Sequence, residues 1–160
     1  MHRDAFISEC GLFRYWLERR WGNGPLLVFV MLNPSTADAL ADDATIRKCI
    51  RFAVILGFDG ILVVNLFAFR ATKPADLRRA GYPVGDLNDT TIRTQVAGAV
   101  LFGAKVICAW GANARNHQRA DQVLVLLREC GATPMALRRL ADGTPEHPLY
   151  IPYSCTPQAL

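Results

Sequence analysis

Leu26-Leu27-Val28-Phe29-Val30-Met31-Leu32-Asn33-Pro34-Ser35-Thr36-Ala37-Asp38 joins an unbroken apolar run to a polar, turn-forming loop. Such a run, bounded by turn residues, fits a strand covered on both faces, as strands of a parallel sheet are. Upstream, Arg19–Pro25 is turn chemistry, and Ala5–Cys10 and Leu12–Leu17, separated by Gly11, read as a β-hairpin. Downstream, Asp42 or Asp43 can cap a helix reaching about Leu56, with Ile46, Cys49, Ile50, Ala53 and Val54 on one face. Ile61–Val64 is a second buried strand, and Asn88 or Asp89 begins a helix that ends near Phe102-Gly103. Lys105–Trp110 is a third strand, Gly111 turns into a helix through Val123–Cys130, and a last strand covers Thr133–Leu137. Strand and helix in alternation predict an α/β domain with a parallel sheet.

Composition bounds the rest. A chain of 160 residues without repeats or linkers fits one domain over residues 1–160 and buries a real core. Its 51% hydrophobic and 20% charged residues argue against disorder. No apolar stretch is long enough to span a bilayer, and Met1-His2-Arg3-Asp4 lacks a signal peptide's apolar core, so a cytoplasmic location without membrane partners is expected. The five scattered cysteines contain no C-x-x-C pair, which predicts no zinc site or iron–sulfur cluster. A net charge of +4 tolerates a phosphate-bearing partner without demanding one.

In open α/β sheets the ligand crevice lies beyond the carboxyl ends of the strands. Polar residues follow the apolar strands at Asn33-Pro34-Ser35, at Asn65-Leu66-Phe67-Ala68-Phe69-Arg70 and at Trp110-Gly111-Ala112-Asn113; His147-Pro148-Leu149-Tyr150 lies near the C-terminus. Each has a structural explanation: Asn-Pro begins turns, an asparagine can finish a strand, and Trp-Gly can pack and bend. His117, at a helix start, reads as a surface residue.

The order of these segments resembles the uracil-DNA glycosylase superfamily. Met31-Leu32-Asn33-Pro34-Ser35 is similar to its first-strand motif, whose Asn or Asp positions the attacking water. Leu62-Val63-Val64-Asn65 is similar to the strand whose amide pairs with the uracil edge. Cys108-Ala109-Trp110-Gly111 resembles one branch's third motif, and His147-Pro148-Leu149 the motif whose histidine stabilises the departing base. The resemblance implies a three-layer α/β/α fold with a mainly parallel central sheet, and catalytic roles for Asn33 and His147. Over nearly its whole length the chain also resembles an uncharacterised bacterial domain marked by Leu32–Asp38, Asp42-Asp43-Ala44-Thr45-Ile46-Arg47 and Asn65–Thr72.

Cleaving an N-glycosidic bond puts positive charge on the sugar and negative charge on the base, so it needs a donor at a base oxygen and a placed water. His147 fits the donor and Asn33 the water holder, by positioning rather than by taking a proton. Asp38, Asp42 or Asp43 would supply a carboxylate, although capping explains two of them and magnesium binding is thinly supported. Asn65 can read a donor/acceptor pair, Phe67 or Phe69 can stack, and Arg70, Lys73, Arg78 and Arg79 can either hold phosphates or form a solvated face. Pro34, Ser35 and Trp110 complete the expected ligand contacts.

The sequence departs from the superfamily in three ways. Met31 replaces a glycine, no aromatic lies between Pro34 and Thr45, and the thirteen residues after His147 leave only Leu149, Tyr150 and Tyr153 for a short wedge. The expectation is therefore a glycosylase-like enzyme without cofactor, acting on a pyrimidine base in DNA or in a nucleoside or nucleotide. The alternative is a non-catalytic binder of a nucleotide or modified base.

Overall fold

In a computed structural model the described residues are 1–115 and 117–160. The chain forms β1 (His2–Ile7), β2 (Arg14–Arg20), β3 (Leu27–Met31), α1 (Ala44–Ile55), β4 (Gly60–Asn65), α2 (Pro74–Arg79), α3 (Asn88–Leu101), β5 (Lys105–Cys108), α4 (Gln118–Glu129), β6 (Pro134–Ala136) and β7 (Gln158–Ala159). All seven strands lie in one sheet, ordered β1-β2-β4-β3-β5-β6-β7. The four central strands β4, β3, β5 and β6 are parallel; β2 and β7 run antiparallel to them on either side, and β1 pairs antiparallel with β2 at the outer edge. This is the alternating α/β fold expected from the sequence, with the N-terminal hairpin displaced: β2 runs to Arg20, through residues read as a turn.

Every residue of β3 and β4 is buried, which is why their apolar runs do not alternate. Val28, Leu62 and Val106 join a core with α3 and α4, whereas Leu27, Phe29 and Ile61 join a second core with α1. α1 carries Ile46, Cys49, Phe52 and Ala53 at helical spacing into that second core. Asp43 caps it, its side chain accepting from the Ile46 amide at 2.9 Å. Two elements were not anticipated. α2 begins on Pro74, whose missing N–H costs a first turn nothing, and β7 closes the far edge with two residues. Among the described residues no helix is long and apolar enough to cross a membrane.

β3 holds the key position. Its chain continuation crosses to β4 on one side, while β5 pairs with it on the other. Connections leave in opposite directions there, and at such a switch point the loops part to leave a crevice.

Candidate functional site

A cavity of about 620 Å³ lies at this switch point, walled by Asn33, Asp43, Trp110 and His147, with Arg14 also contributing. Asn33 follows β3 directly. Its Nδ2 donates to Pro34 O at 3.0 Å and Ala71 O at 2.8 Å, which fixes the amide and leaves Oδ1 as the acceptor. The Ala71 amide donates in return to Pro34 O at 2.9 Å, stapling the β3 loop to the segment after β4.

His147 reaches the same cavity from 114 positions further along the chain because of Gly111. Gly111 N–H donates to Pro145 O at 2.9 Å, tying the end of β5 to the histidine segment. Its φ is +81°, and a Cβ there would sit 3.1 Å from His147 Cβ. Glycine is therefore required twice, by backbone conformation and by close approach. His147 caps a 3-10 turn at Pro148–Tyr150, its Nδ1 accepting from the Leu149 amide at 3.3 Å. A ring that accepts at Nδ1 carries its proton on Nε2, so the free nitrogen is a donor. Burial lowers the His147 pKa, with the Asp43 carboxylate opposing, which favours the neutral ring.

Two further residues complete the charge pattern. Asp43 uses Oδ1 to cap α1, and Oδ2 has no hydrogen-bond partner among the described residues. Arg14, at the start of β2, is 2% exposed; Nη1 donates to Ala37 O at 2.9 Å and Nε is buried without a partner. Burial pushes the Arg14 pKa down to about 10, with Asp43 opposing, so the guanidinium stays charged at neutral pH. No carboxylate lies within ion-pair distance of it among the described residues.

The loop itself is held by arginines. The carbonyls of Ser35 and Thr36 accept from Arg70, that of Ala37 from Arg14 and that of Asp38 from Arg19. Four successive carbonyls that lack a sheet or helix partner are thus satisfied by guanidinium donors. The neighbouring acids are committed elsewhere. Asp38 accepts from the Leu40 and Ala41 amides, which lower its pKa, and Asp42 pairs with Arg19 at 2.8 Å and Arg3 at 3.0 Å.

Among the residues singled out from sequence, Asn33, Ser35, Trp110 and His147 line the one cavity. Pro34 is buried and outside the lining, and Arg70 lies in an adjoining hollow with Ser35. Asn65 ends β4 at 1% exposure, outside the lining, with neither amide atom hydrogen-bonded. Met31, its register partner on β3, does line the cavity. Phe67 is a core residue, its ring 5.4 Å from Tyr82 and 4.9 Å from His117. His117 is therefore half-buried, correcting the surface reading; it also caps α4. Leu149 and Tyr150 are exposed at the rim, whereas Tyr153 packs on Phe52.

Arg14 was missed because the strand around it is rich in both arginine and aromatic residues. Its inward placement depends on strand pairing. The adjacent Asp42 and Asp43 were the better clue, since a helix needs only one side-chain cap. Among the described residues no group of three or more His, Cys, Asp or Glu side chains is arranged to hold a metal ion.

The model of a family described as "Protein of unknown function (DUF1643)" matches residues 14–149, from the buried arginine past the cavity histidine. The chain belongs to this family. No curated protein and no solved structure matches it. The DUF1643 segment contains every residue placed in the cavity except Tyr150 at its rim.

Proposed function

We propose that the chain is a glycosylase-like hydrolase in a three-layer α/β/α domain of the uracil-DNA glycosylase type. It would cleave the N-glycosidic bond of a pyrimidine base, modified bases included, in DNA or in a nucleoside or nucleotide. The observation that carries this reading is the meeting of Asn33, Asp43 and His147 in one cavity at the switch point, with the histidine presenting Nε2–H. In this scheme Asn33 Oδ1 holds the water and the Asp43 carboxylate takes its proton as oxygen bonds to C1′ of the sugar. The C1′–N bond breaks with its electron pair going to the base. Nε2–H of His147 stabilises the oxygen on which that charge gathers, and the base leaves after gaining a proton from solvent. Placing the carboxylate on α1 rather than at the β3 end supplies the base that an asparagine in the first motif cannot.

A second reading is a non-catalytic nucleotide binder using the same cavity; with the Asn65 amide buried outside it, recognition of the base falls to other lining residues in either reading. The two readings separate in one assay: base release from single- and double-stranded oligonucleotides carrying uracil or a hypermodified pyrimidine. Release by wild type, lost in Asn33→Ala, Asp43→Asn and His147→Ala, is the glycosylase result. A folded protein that binds these substrates without releasing base removes the enzyme and leaves the binder.

A further inference from the structure

A second cavity of about 670 Å³ adjoins the first and shares Ser35, Thr36, Ala71 and Thr72 with it. Its charged lining is Arg70, Arg79 and Asp76. Arg79 is paired with Asp76 at 3.2 Å, so those two charges cancel. Arg70 is not paired with any carboxylate among the described residues. It makes only long bonds to neutral carbonyls: Ser35 O at 3.3 Å, Gly11 O at 3.2 Å and Thr36 O at 3.5 Å. The Ser35 and Thr72 hydroxyls stand 3.5 Å apart on the shared wall, and Thr36 is exposed there. A guanidinium without a counter-charge beside convergent hydroxyls is the donor set that phosphate oxygens take, charge-assisted on one side and neutral on the other.

We infer that the second cavity is a phosphate subsite, so that the ligand is a nucleotide rather than a nucleoside. The base end of this inference rests on the glycosylase-like reading of the first cavity; the phosphate end rests on the second cavity alone. A sugar held between Asn33 and Asp43 would send its phosphate-bearing carbon across the Ser35–Thr36 wall towards Arg70. The chemistry is that of a sugar phosphate, whether the nucleotide is free or part of a strand.

Calorimetric titration with deoxyuridine, deoxyuridine 5′-monophosphate and a uracil-centred trideoxynucleotide tests it. The monophosphate or the trinucleotide should bind at least about tenfold tighter than the nucleoside at low salt, an advantage that shrinks as salt rises. The trinucleotide binding tighter than the monophosphate assigns the phosphate to a strand; the reverse assigns it to a free nucleotide. Arg70→Gln should bring the nucleotide-to-nucleoside ratio towards one. Because Arg70 also supports the loop, the double variant Ser35→Ala/Thr72→Val provides a second test and should lower the ratio about threefold or more. A ratio near one in wild type, with nucleoside bound, overturns the subsite and spares the base pocket. If no nucleoside or nucleotide binds, thermal protection by inorganic phosphate decides. Protection abolished by Arg70→Gln keeps the subsite; no protection, or protection that survives Arg70→Gln, removes it, and the base-release assay decides the glycosylase reading separately.

Discussion

Replacing Arg14 by methionine should leave the protein as stable as wild type or slightly more so, while disabling its ligand site. Burial pushes the guanidinium from its ordinary value down to about 10. At about 1.4 kcal/mol per pH unit, that is roughly 3 kcal/mol held against folding. The penalty is present in full at neutral pH, because it is relieved only as pH rises above about 10. Against it stands the charge-assisted bond to Ala37 O, worth about 1.5–3 kcal/mol. Methionine fills the buried stem, and no carboxylate is left without an ion-pair partner, so the usual cost of halving a buried pair does not arise. The balance lies between neutrality and a gain of about 1–2 kcal/mol, a Tm unchanged or raised by a few degrees for a chain of this size. Urea and thermal unfolding followed by circular dichroism at pH 7 measure it, beside titration with the tightest-binding nucleotide. A loss beyond about 2 kcal/mol would refute the reasoning, since Arg14 would then be chiefly a structural anchor. Wild-type ligand affinity in the variant would equally refute its place in the site.

Gly111→Ala should lower stability by about 1–3 kcal/mol, since alanine resists a φ of +81° and its Cβ meets His147 Cβ at 3.1 Å; thermal unfolding gives the cost, and displacement of the His147 ring resonances by NMR shows where it falls. Asp43→Asn keeps a side-chain oxygen for the Ile46 amide and should hold Tm within a few degrees, whereas Asp43→Ala loses the cap at a cost of about 1 kcal/mol; both should abolish base release. Because burial lowers the His147 pKa, the unfolded chain binds the proton first. Stability from this group is therefore complete above pH ~6.5 and falls as pH drops below that value, and His147→Gln should flatten that limb in unfolding curves taken between pH 5 and 8. Base release should share the acid limb, because the protonated ring would displace the Leu149 amide from Nδ1.

The parallel core was legible because Leu27–Met31 and Gly60–Val64 are apolar without alternation, a pattern that one-sided strands do not show. The site was partly legible for the same reason: a polar residue straight after such a strand has to stand at its carboxyl end. That rule puts Asn33 and Trp110 at strand ends, where both line the cavity, but cannot tell which way Asn65 faces. Asn65 sits in register with Met31 on a strand buried on both sides, so its amide is enclosed while Met31 takes the wall. Phe67 falls in the core for a similar reason, between Tyr82 and His117. Arg14 was illegible because its burial comes from the carbonyl of Ala37, a partner 23 positions away that no local pattern announces.

The histidine segment is joined to the end of β5 and to the chain after β6 by a short set of bonds: Gly111 N–H to Pro145 O, Glu146 N–H to Arg138 O, an Arg139–Pro145 bridge, the Arg138–Glu146 ion pair and Arg138 Nη2 to Tyr150 O. Its turn also packs on α1. Such a segment can open as a unit of its own, at a free energy below that of the whole domain. The working fraction of molecules would then follow this partial opening rather than global unfolding. Amides around Gly111 and Glu146 would exchange with solvent before those of β3 and β4, and a protein with an intact sheet could already have lost its site.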